Sequence, residues 1–174
     1  MAIAQALLPE FDLEMAGVRK TLERVPEDKF DWRPHPKSAT MGRLASHLAT
    51  LPTLAVRVIH KDSHEIAPGG QPPAGPPKLA TRQEVVETFD KNRDAARVAI
   101  AGASDEHLTK TWTLLFHGKT VFSLPRGDVL RRTLLSHMIH HRAQLGVYLR
   151  LNEVPVPALY GPSADEQVSV GKGS

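Results

Sequence analysis

The sequence predicts an all-α fold, a four-helix bundle, and three observations support this prediction. Apolar residues recur at spacings of three and four in four separate stretches, which is the pattern of one buried helix face. Aromatic residues make up only 5% of the 174 residues, so leucine, valine and alanine must do most of the packing. That composition favours helices over a β-sandwich. A Pro- and Gly-rich stretch in the middle of the chain is long enough to cross a bundle from end to end.

The first two helices are predicted before residue 61. The first runs from about residue 4 to residue 25, and Pro26 ends it because proline cannot continue a helix. Its apolar stripe is Leu8, Phe11, Met15, Val18, Leu22 and Val25. Ser38 or Thr40 is a good N-cap for the second helix, and Pro52 is expected to kink it. The second stripe is Met41, Leu44, Leu48, Leu51, Ala55 and Val58.

Residues 61–80 are predicted to form a long, irregular crossover. Four prolines and three glycines lie between residues 69 and 77. A domain boundary is the alternative, but the first two helices are too small to form a stable unit alone. About twenty residues at roughly 3 Å each would let the third helix lie parallel to the second.

A third helix and a short hairpin are predicted next. Thr81 and Glu84 have the spacing of a capping box at the helix start, and Gly102 ends the helix. The apolar face is Val85, Val86, Phe89, Ala96 and Ile100. The stretch TWTLLFHGKTVFSLP is rich in β-branched and aromatic residues around a central His-Gly, which indicates a β-hairpin. An isolated hairpin is marginally stable, so this one is expected to pack on the bundle.

The fourth helix is predicted from about residue 125–128 to Leu151. Its stripe is Leu130, Leu134, His137, His141, Leu145 and Tyr148. The sequence therefore predicts one domain over residues 1–160 and a polar C-terminal tail over residues 161–174.

Composition and motifs argue against several classes of function. The net charge of +3 comes from basic residues scattered among acids, which does not indicate a nucleic-acid surface. The chain has no cysteine, which excludes disulfides and cysteine nucleophiles. No apolar run reaches the roughly 18 residues of a membrane span, and the first residues lack the features of a signal peptide, so a cytoplasmic protein is expected. The G-x-S-x-G, P-loop, G-x-G-x-x-G and H-E-x-x-H motifs are absent.

Three histidines form a candidate metal site. His137 and His141 are four residues apart, so their rings project side by side from one helix and can bind one ion. A third ligand must come from elsewhere, and His47 on the inner face of the second helix is the best candidate. Three histidines with one open position are typical of a reactive zinc site rather than a structural one. The alternative is that these histidines only hydrogen-bond neighbouring helices, at positions where unsatisfied burial would be costly.

The remaining histidines are assigned other roles. His140 is turned about 100° from His141 and is interpreted as a residue that supports the ligands or lies at the surface. The others are expected to be solvated in loops or at helix ends: His35, His60, His64, His107 and His117.

Two segments together resemble the DinB/YfiT-like superfamily of small metal-binding bundles. These segments are WRPHPKS followed by GRLASHLA, and the late SHMIHHRAQLGVYLRL. The resemblance spans the chain from the first helix to about Leu159. It implies an up-down-down-up four-helix bundle, a zinc or nickel ion held by His47, His137 and His141, and a homodimer.

The resemblance also implies a function. Relatives include thiol-dependent transferases or isomerases and metal-dependent hydrolases, so a small-molecule substrate and a low-molecular-weight thiol cosubstrate are expected. Trp32 and Ser38 could wall the site, although packing at the bundle end is the alternative for Trp32. Arg142 and Gln144 could support the ligands or link helices. A non-catalytic, metal-stabilised binding or stress-response module is the competing hypothesis, and the sequence identifies no catalytic residue.

Overall fold

The computed structural model describes residues 2–73 and 75–167. The helices are α1 (Ile3–Leu22), α2 (Met41–Thr50), α3 (Thr53–His60), α4 (Arg82–Ala101), α5 (Asp105–Thr109), α6 (Arg126–Val129) and α7 (Ser136–Leu151), and a π-helical segment (Leu130–Leu135) joins α6 to α7. The strands are β1 (Ser63–Glu65), β2 (Thr111–Phe116) and β3 (Lys119–Pro125).

The prediction of an all-α four-helix bundle is wrong, because the chain also forms a three-stranded mixed sheet. β2 and β3 pair antiparallel where the sequence predicts a hairpin, with Trp112 opposite Leu124. β1 pairs parallel with the other edge of β2, and it lies inside the stretch that was expected to be irregular. The open edge of β2 offers unpaired N–H and C=O groups, and three residues of the crossover satisfy them. A strand this short leaves no recognisable alternation in the sequence.

The long helices pack around one apolar core. α4 contacts α1, α2 and α3, while α7 contacts α1 and α2. The largest side chains of the core, which include Phe11, Met15, Phe89 and Met138, are at most 1% exposed. Trp112 of β2 is also fully buried and joins the same core. The sheet is thus attached to the helices by its largest side chain.

The helix ends follow the local chemistry of the sequence. Thr40 caps α2 by accepting a hydrogen bond from the Arg43 amide at 3.2 Å, and Thr81 caps α4 by accepting from the Glu84 amide at 3.1 Å. The helical stretch after Thr40 is interrupted at Pro52, which separates α2 from α3. α4 ends at Gly102, as predicted.

Residues 152–167 run back along α1 and α7 and are attached by charged side chains. Arg24, two residues after the end of α1, pairs with Glu166, and Arg150 of α7 pairs with Asp165. The two carboxylates also accept from the Val156 and Ala158 amides at 2.8 and 2.9 Å. The predicted tail begins within this segment, and its residues 168–174 lie outside the described part of the chain.

Among the described residues, none of the helices is both long enough and apolar enough to cross a bilayer.

Candidate metal centre

Two helices bring three imidazole rings together. α2 places His47, and α7 places His137 and His141 one turn apart. One ring nitrogen from each histidine lies within 4.8 Å of the other two. The Nε2 atom of His137 is 3.4 Å from Nε2 of His47 and 2.8 Å from Nε2 of His141. The three candidate ligands of the sequence therefore meet at one place.

The cluster lies at the rim of the buried face rather than at its centre. On α7 the centre of that face is formed by Met138, Arg142 and Leu145, which are at most 3% exposed. His137 and His141 are half-buried beside it, and His47 is half-buried on α2. Small molecules can therefore reach the cluster from solvent.

The π-helical segment ends immediately before α7. The amide of Ser136 donates to the Arg131 carbonyl, five residues back instead of the usual four. Such segments are rare and often occur at functional sites, because the wider turn changes the angle at which later side chains project. The direction in which His137 and His141 point is therefore set partly by the turn before them.

The surroundings keep the three rings neutral. Burial and the neighbouring His141 and His137 rings lower the pKa of His47 to about 4, with Arg43 adding a smaller effect. Burial, followed by the nearby His141 and His140 rings, also lowers the pKa of His137. Burial lowers the pKa of His141. At neutral pH each ring thus has one nitrogen with a free lone pair.

A hydrogen bond on the outer side of the His141 ring determines which nitrogen that is. Nδ1 of His141 lies 2.7 Å from Oε1 of Gln144, and a glutamine oxygen can only accept. Because Nδ1 of His141 therefore carries the proton, its Nε2 lone pair faces the centre of the cluster. The Thr133 backbone acts on the His137 ring and raises its pKa, which opposes part of the effect of burial.

This donor set fits a divalent metal ion. Neutral imidazole nitrogens suit zinc, nickel, copper and iron, and ligand histidines usually donate their other N–H to an oxygen acceptor. The 2.8 Å between Nε2 of His137 and Nε2 of His141 requires a proton or a cation between the two nitrogens. His47, His137 and His141 could therefore hold one ion and leave part of its coordination sphere open.

The other predicted site residues are dispersed. His140 is exposed and packs edge-on against the His141 ring at a centroid distance of 4.8 Å. Trp32 packs edge-on against Tyr148, at 5.5 Å, two turns along α7 from His141. Ser38 is half-buried in the loop before α2, and its amide donates to the His35 carbonyl.

Arg142 points away from the histidine cluster and into the interface with α1. It donates to the Glu14 carboxylate at 2.7 Å, and both side chains are almost fully buried. The Tyr160 hydroxyl donates to the same carboxylate and accepts from Arg142. The buried Glu14–Arg142 pair, which the exposed Tyr160 joins from the solvent side, fixes α7, and with it the two histidines, against α1.

The sequence did not identify Arg43 and Thr133 as neighbours of the cluster. It also predicted the wrong surroundings for two histidines outside the cluster. Arg43 lies one turn before His47 on the same helix face, and this spacing of four could have identified it. Thr133 acts through its backbone, which no side-chain pattern reveals. His107 was expected to be solvated but is half-buried, with Nε2 2.8 Å from the Ile59 carbonyl. His64 is also half-buried, beside Arg57.

Comparisons with known proteins identify the family and the fold. A family model described as the DinB superfamily matches residues 10–145. The uncharacterized protein YrdA of Bacillus subtilis (strain 168) is 24% identical over 164 residues, which cover 94% of this chain and 92% of that protein.

Two solved structures have a similar fold. A DinB-like protein from Bacillus cereus ATCC 10987 has a TM-score of 0.69 at 20% identity and covers 90% of this chain and 97% of its own. The DinB-like protein YjoA from Bacillus subtilis has a TM-score of 0.66 at 16% identity and covers 94% of this chain and 99% of its own. At these identities the structural similarity establishes the fold alone.

Proposed function

This chain belongs to the DinB superfamily, and on that premise we propose that it is a metal-dependent enzyme acting on a small electrophilic substrate. His47, His137 and His141 hold the ion, which is zinc or nickel, and a small thiol or water is the nucleophile. The observation that carries this proposal is the convergence of three neutral imidazole nitrogens within 4.8 Å.

The chain's residues would hold and orient the reacting groups. Three imidazole ligands leave a coordination position open, and the half-buried rim position makes it accessible. Gln144 fixes the orientation of the His141 ring, so this ligand does not have to reorganise when substrate binds. A divalent cation there would lower the pKa of a thiol or water that occupies its open position.

A thiol would have to come from a cosubstrate, because the chain contains no cysteine. In the transfer we propose, the thiol sulfur bonds to an electrophilic carbon of the substrate, the bond from that carbon to its leaving group breaks, and the leaving group departs with the thiol proton. In an isomerisation the thiol would add to the substrate and be released unchanged. Water in the same place would give a hydrolase. The homodimer that the family resemblance implies stays a prediction, which light scattering on the purified protein would check.

The test has two stages. Protein purified without chelator should contain about one zinc or nickel per chain by elemental analysis. After replacement of that metal by cobalt, addition of a small thiol should change the visible spectrum, since only an open position can exchange ligands.

Three outcomes separate the hypotheses. Metal-free protein that also fails to bind added cobalt would contradict the metal site. Full cobalt occupancy with a spectrum that no thiol changes would contradict the thiol-dependent reaction and favour a non-catalytic module. A spectral change together with turnover in a thiol-transfer screen would support the enzyme.

A further inference from the structure

A surface groove between α3 and α4 has a basic end that takes no part in the metal centre. This end has a volume of about 590 Å³ and shares no residue with the histidine cluster. Its basic side chains are Arg57, His60, Lys61 and His64, and Thr53, Ser63 and Asn92 add polar groups. None of the described residues that line this end is acidic.

Arg57 is the central cation of the basic end. Its Nη1 donates to Nε2 of His64 at 3.1 Å, an acceptor that carries no negative charge. Burial and the Arg57 charge lower the pKa of His64, so the ring accepts rather than donates at neutral pH. Within the described residues, no carboxylate lies within ion-pair distance of Arg57. Most of its donors are therefore available to a ligand.

The acidic residues near the groove are engaged elsewhere. Asp62 pairs with Arg126 on the other side of the chain. The Glu65 carboxylate accepts from the amides of residues 67, 117 and 118. Asp94 pairs with Arg93. The positive charge of the groove is thus not neutralised by its neighbours.

The positive charges of the groove are also not explained by the partial negative charge at the C-terminal end of α3. Cations gather at helix C-termini because the last carbonyls carry partial negative charge. Here Arg126 donates to the Val58 and Lys61 carbonyls, and His107 contacts the Ile59 carbonyl. The charges of Arg57 and Lys61 are surplus to that need.

The groove continues into an apolar end. A second depression of about 580 Å³ shares Val56, His60 and Ala95 with the first. Its other residues include Ile59, Val98 and Asp94, and Val98 is 72% exposed. Because the Asp94 carboxylate is paired with Arg93, the aliphatic side chains form most of this end, while the first end is cationic.

A separate depression beside α1 has a different charge pattern from the α3–α4 groove. It too is lined by arginines, but acids line it with them, and Arg97 is paired with Asp12 at 2.8 Å. All three of its arginines are paired with carboxylates, so Lys20 is the one cation among its described lining residues that is left for an anion.

We propose that the α3–α4 groove binds a small amphiphilic anion, a phosphate monoester with an aliphatic body. The phosphate lies against Arg57, with His60 and Lys61 beside it, and the aliphatic body lies along Val56 and Val98. This site is independent of the metal centre and of the reaction proposed there.

The test is isothermal titration of the full chain with octyl phosphate, inorganic phosphate and the neutral amphiphile octyl glucoside. Octyl phosphate should bind more tightly than either of the others. Arg57→Gln should weaken octyl phosphate binding about ten-fold or more, because it removes charge-assisted hydrogen bonds. Val98→Ser should weaken octyl phosphate binding roughly three-fold and leave inorganic phosphate binding unchanged.

Two variants serve as controls. Arg97→Gln makes the same chemical change in the depression beside α1 and should leave octyl phosphate binding unchanged. His137→Ala should also leave it unchanged, which distinguishes this groove from a metal that attracts phosphate. The proposal is overturned if Arg57→Gln binds octyl phosphate like the unchanged chain, if octyl glucoside binds equally well, or if binding is lost in His137→Ala.

Discussion

Gly17 lies directly against Arg142. A side-chain carbon at Gly17 would be 2.6 Å from Nη1 of the guanidinium, closer than packed atoms can approach. The guanidinium is 3% exposed and is held by the Glu14 carboxylate. The absence of a side chain at residue 17 is therefore what allows the buried ion pair between α1 and α7 to form.

Gly17→Ala should lower the free energy of unfolding by about 1–3 kcal/mol, as overpacking does. Alanine is a better helix former than glycine, so Gly17→Ala would raise the free energy of unfolding if there were space for the new carbon. Gly146→Ala on α7 is the matched control, because the nearest atom to its new carbon would be 3.9 Å away. That variant should be neutral or up to about 1 kcal/mol more stable. Urea denaturation of both variants measures the difference, and stabilisation by Gly17→Ala would contradict the packing described.

Glu14→Ala should destabilise the fold by about 3–5 kcal/mol, because it leaves the Arg142 charge buried without its partner. Glu10→Ala, one turn earlier on α1, is the control. Glu10 pairs with Arg131 at a partly exposed position, and loss of such a pair costs about 0–1 kcal/mol. Chemical denaturation compares the two, and equal losses would contradict the special role of the buried pair.

His137→Ala should abolish metal retention while the far-UV circular dichroism of the helices stays largely unchanged. The remaining two histidines seldom hold a divalent ion firmly. His140→Ala, three residues further along α7, should retain the metal, since His140 is exposed and only flanks His141. Full metal occupancy in His137→Ala would falsify the ligand assignment, and loss of fold with the metal would favour a structural role.

Gln144→Leu should weaken metal binding about 10- to 100-fold, the usual effect of removing a group that orients a ligand histidine. Gln144→Glu keeps an oxygen acceptor for Nδ1 of His141 and should retain most of the affinity. Competition with a coloured chelator measures both. Equal affinities of the leucine variant and the unchanged chain would show that the His141 hydrogen bond has no part in metal binding.

Acid should release the segment over residues 152–167 from α1 and α7. The Arg150 hydrogen bond lowers the pKa of Asp165 below its ordinary 3.8, and the Ala158 amide lowers the pKa of Glu166 below its ordinary 4.5. Groups with a lowered pKa stabilise the fold fully above their ordinary values and lose that effect as pH falls through the lowered ones. The attachment should therefore weaken from about pH 4.5 downward.

Hydrogen exchange of the Val156 and Ala158 amides, corrected for intrinsic rates, measures this release. Protection should fall between pH 6 and pH 3 while amides in the middle of α1 remain protected. Replacing Asp165 and Glu166 by alanine should lower the protection of these two amides at neutral pH to the level that the unchanged chain shows at pH 3. Unchanged protection of these two amides at pH 3 would refute the mechanism.

Much of the helical structure could be predicted because its causes are local. The apolar stripe of α1, the Thr81 cap of α4 and the interruption at Pro52 each depend on residues within a few positions of one another. The approach of His47 to His137 could be anticipated because both lie on helix faces that must turn toward the same core.

The features that could not be predicted depend on distant partners. β1 forms only because β2 presents an open edge some fifty residues later in the chain. The direction of Arg142 depends on Glu14 and Tyr160, which are 128 and 18 residues away. The π-helical segment has no pattern in the sequence, since its wider turn results from how its two ends are held by packing.

That wider turn holds one residue more than an ordinary α-helical turn between β3 and His137. Deleting one residue from 130–135 would let an ordinary α-helix form, and the residues after it would keep nearly the same orientation relative to β3 because the wider turn already absorbs the extra residue. Natural variation in this stretch should therefore include single-residue deletions that leave His137 and His141 facing His47.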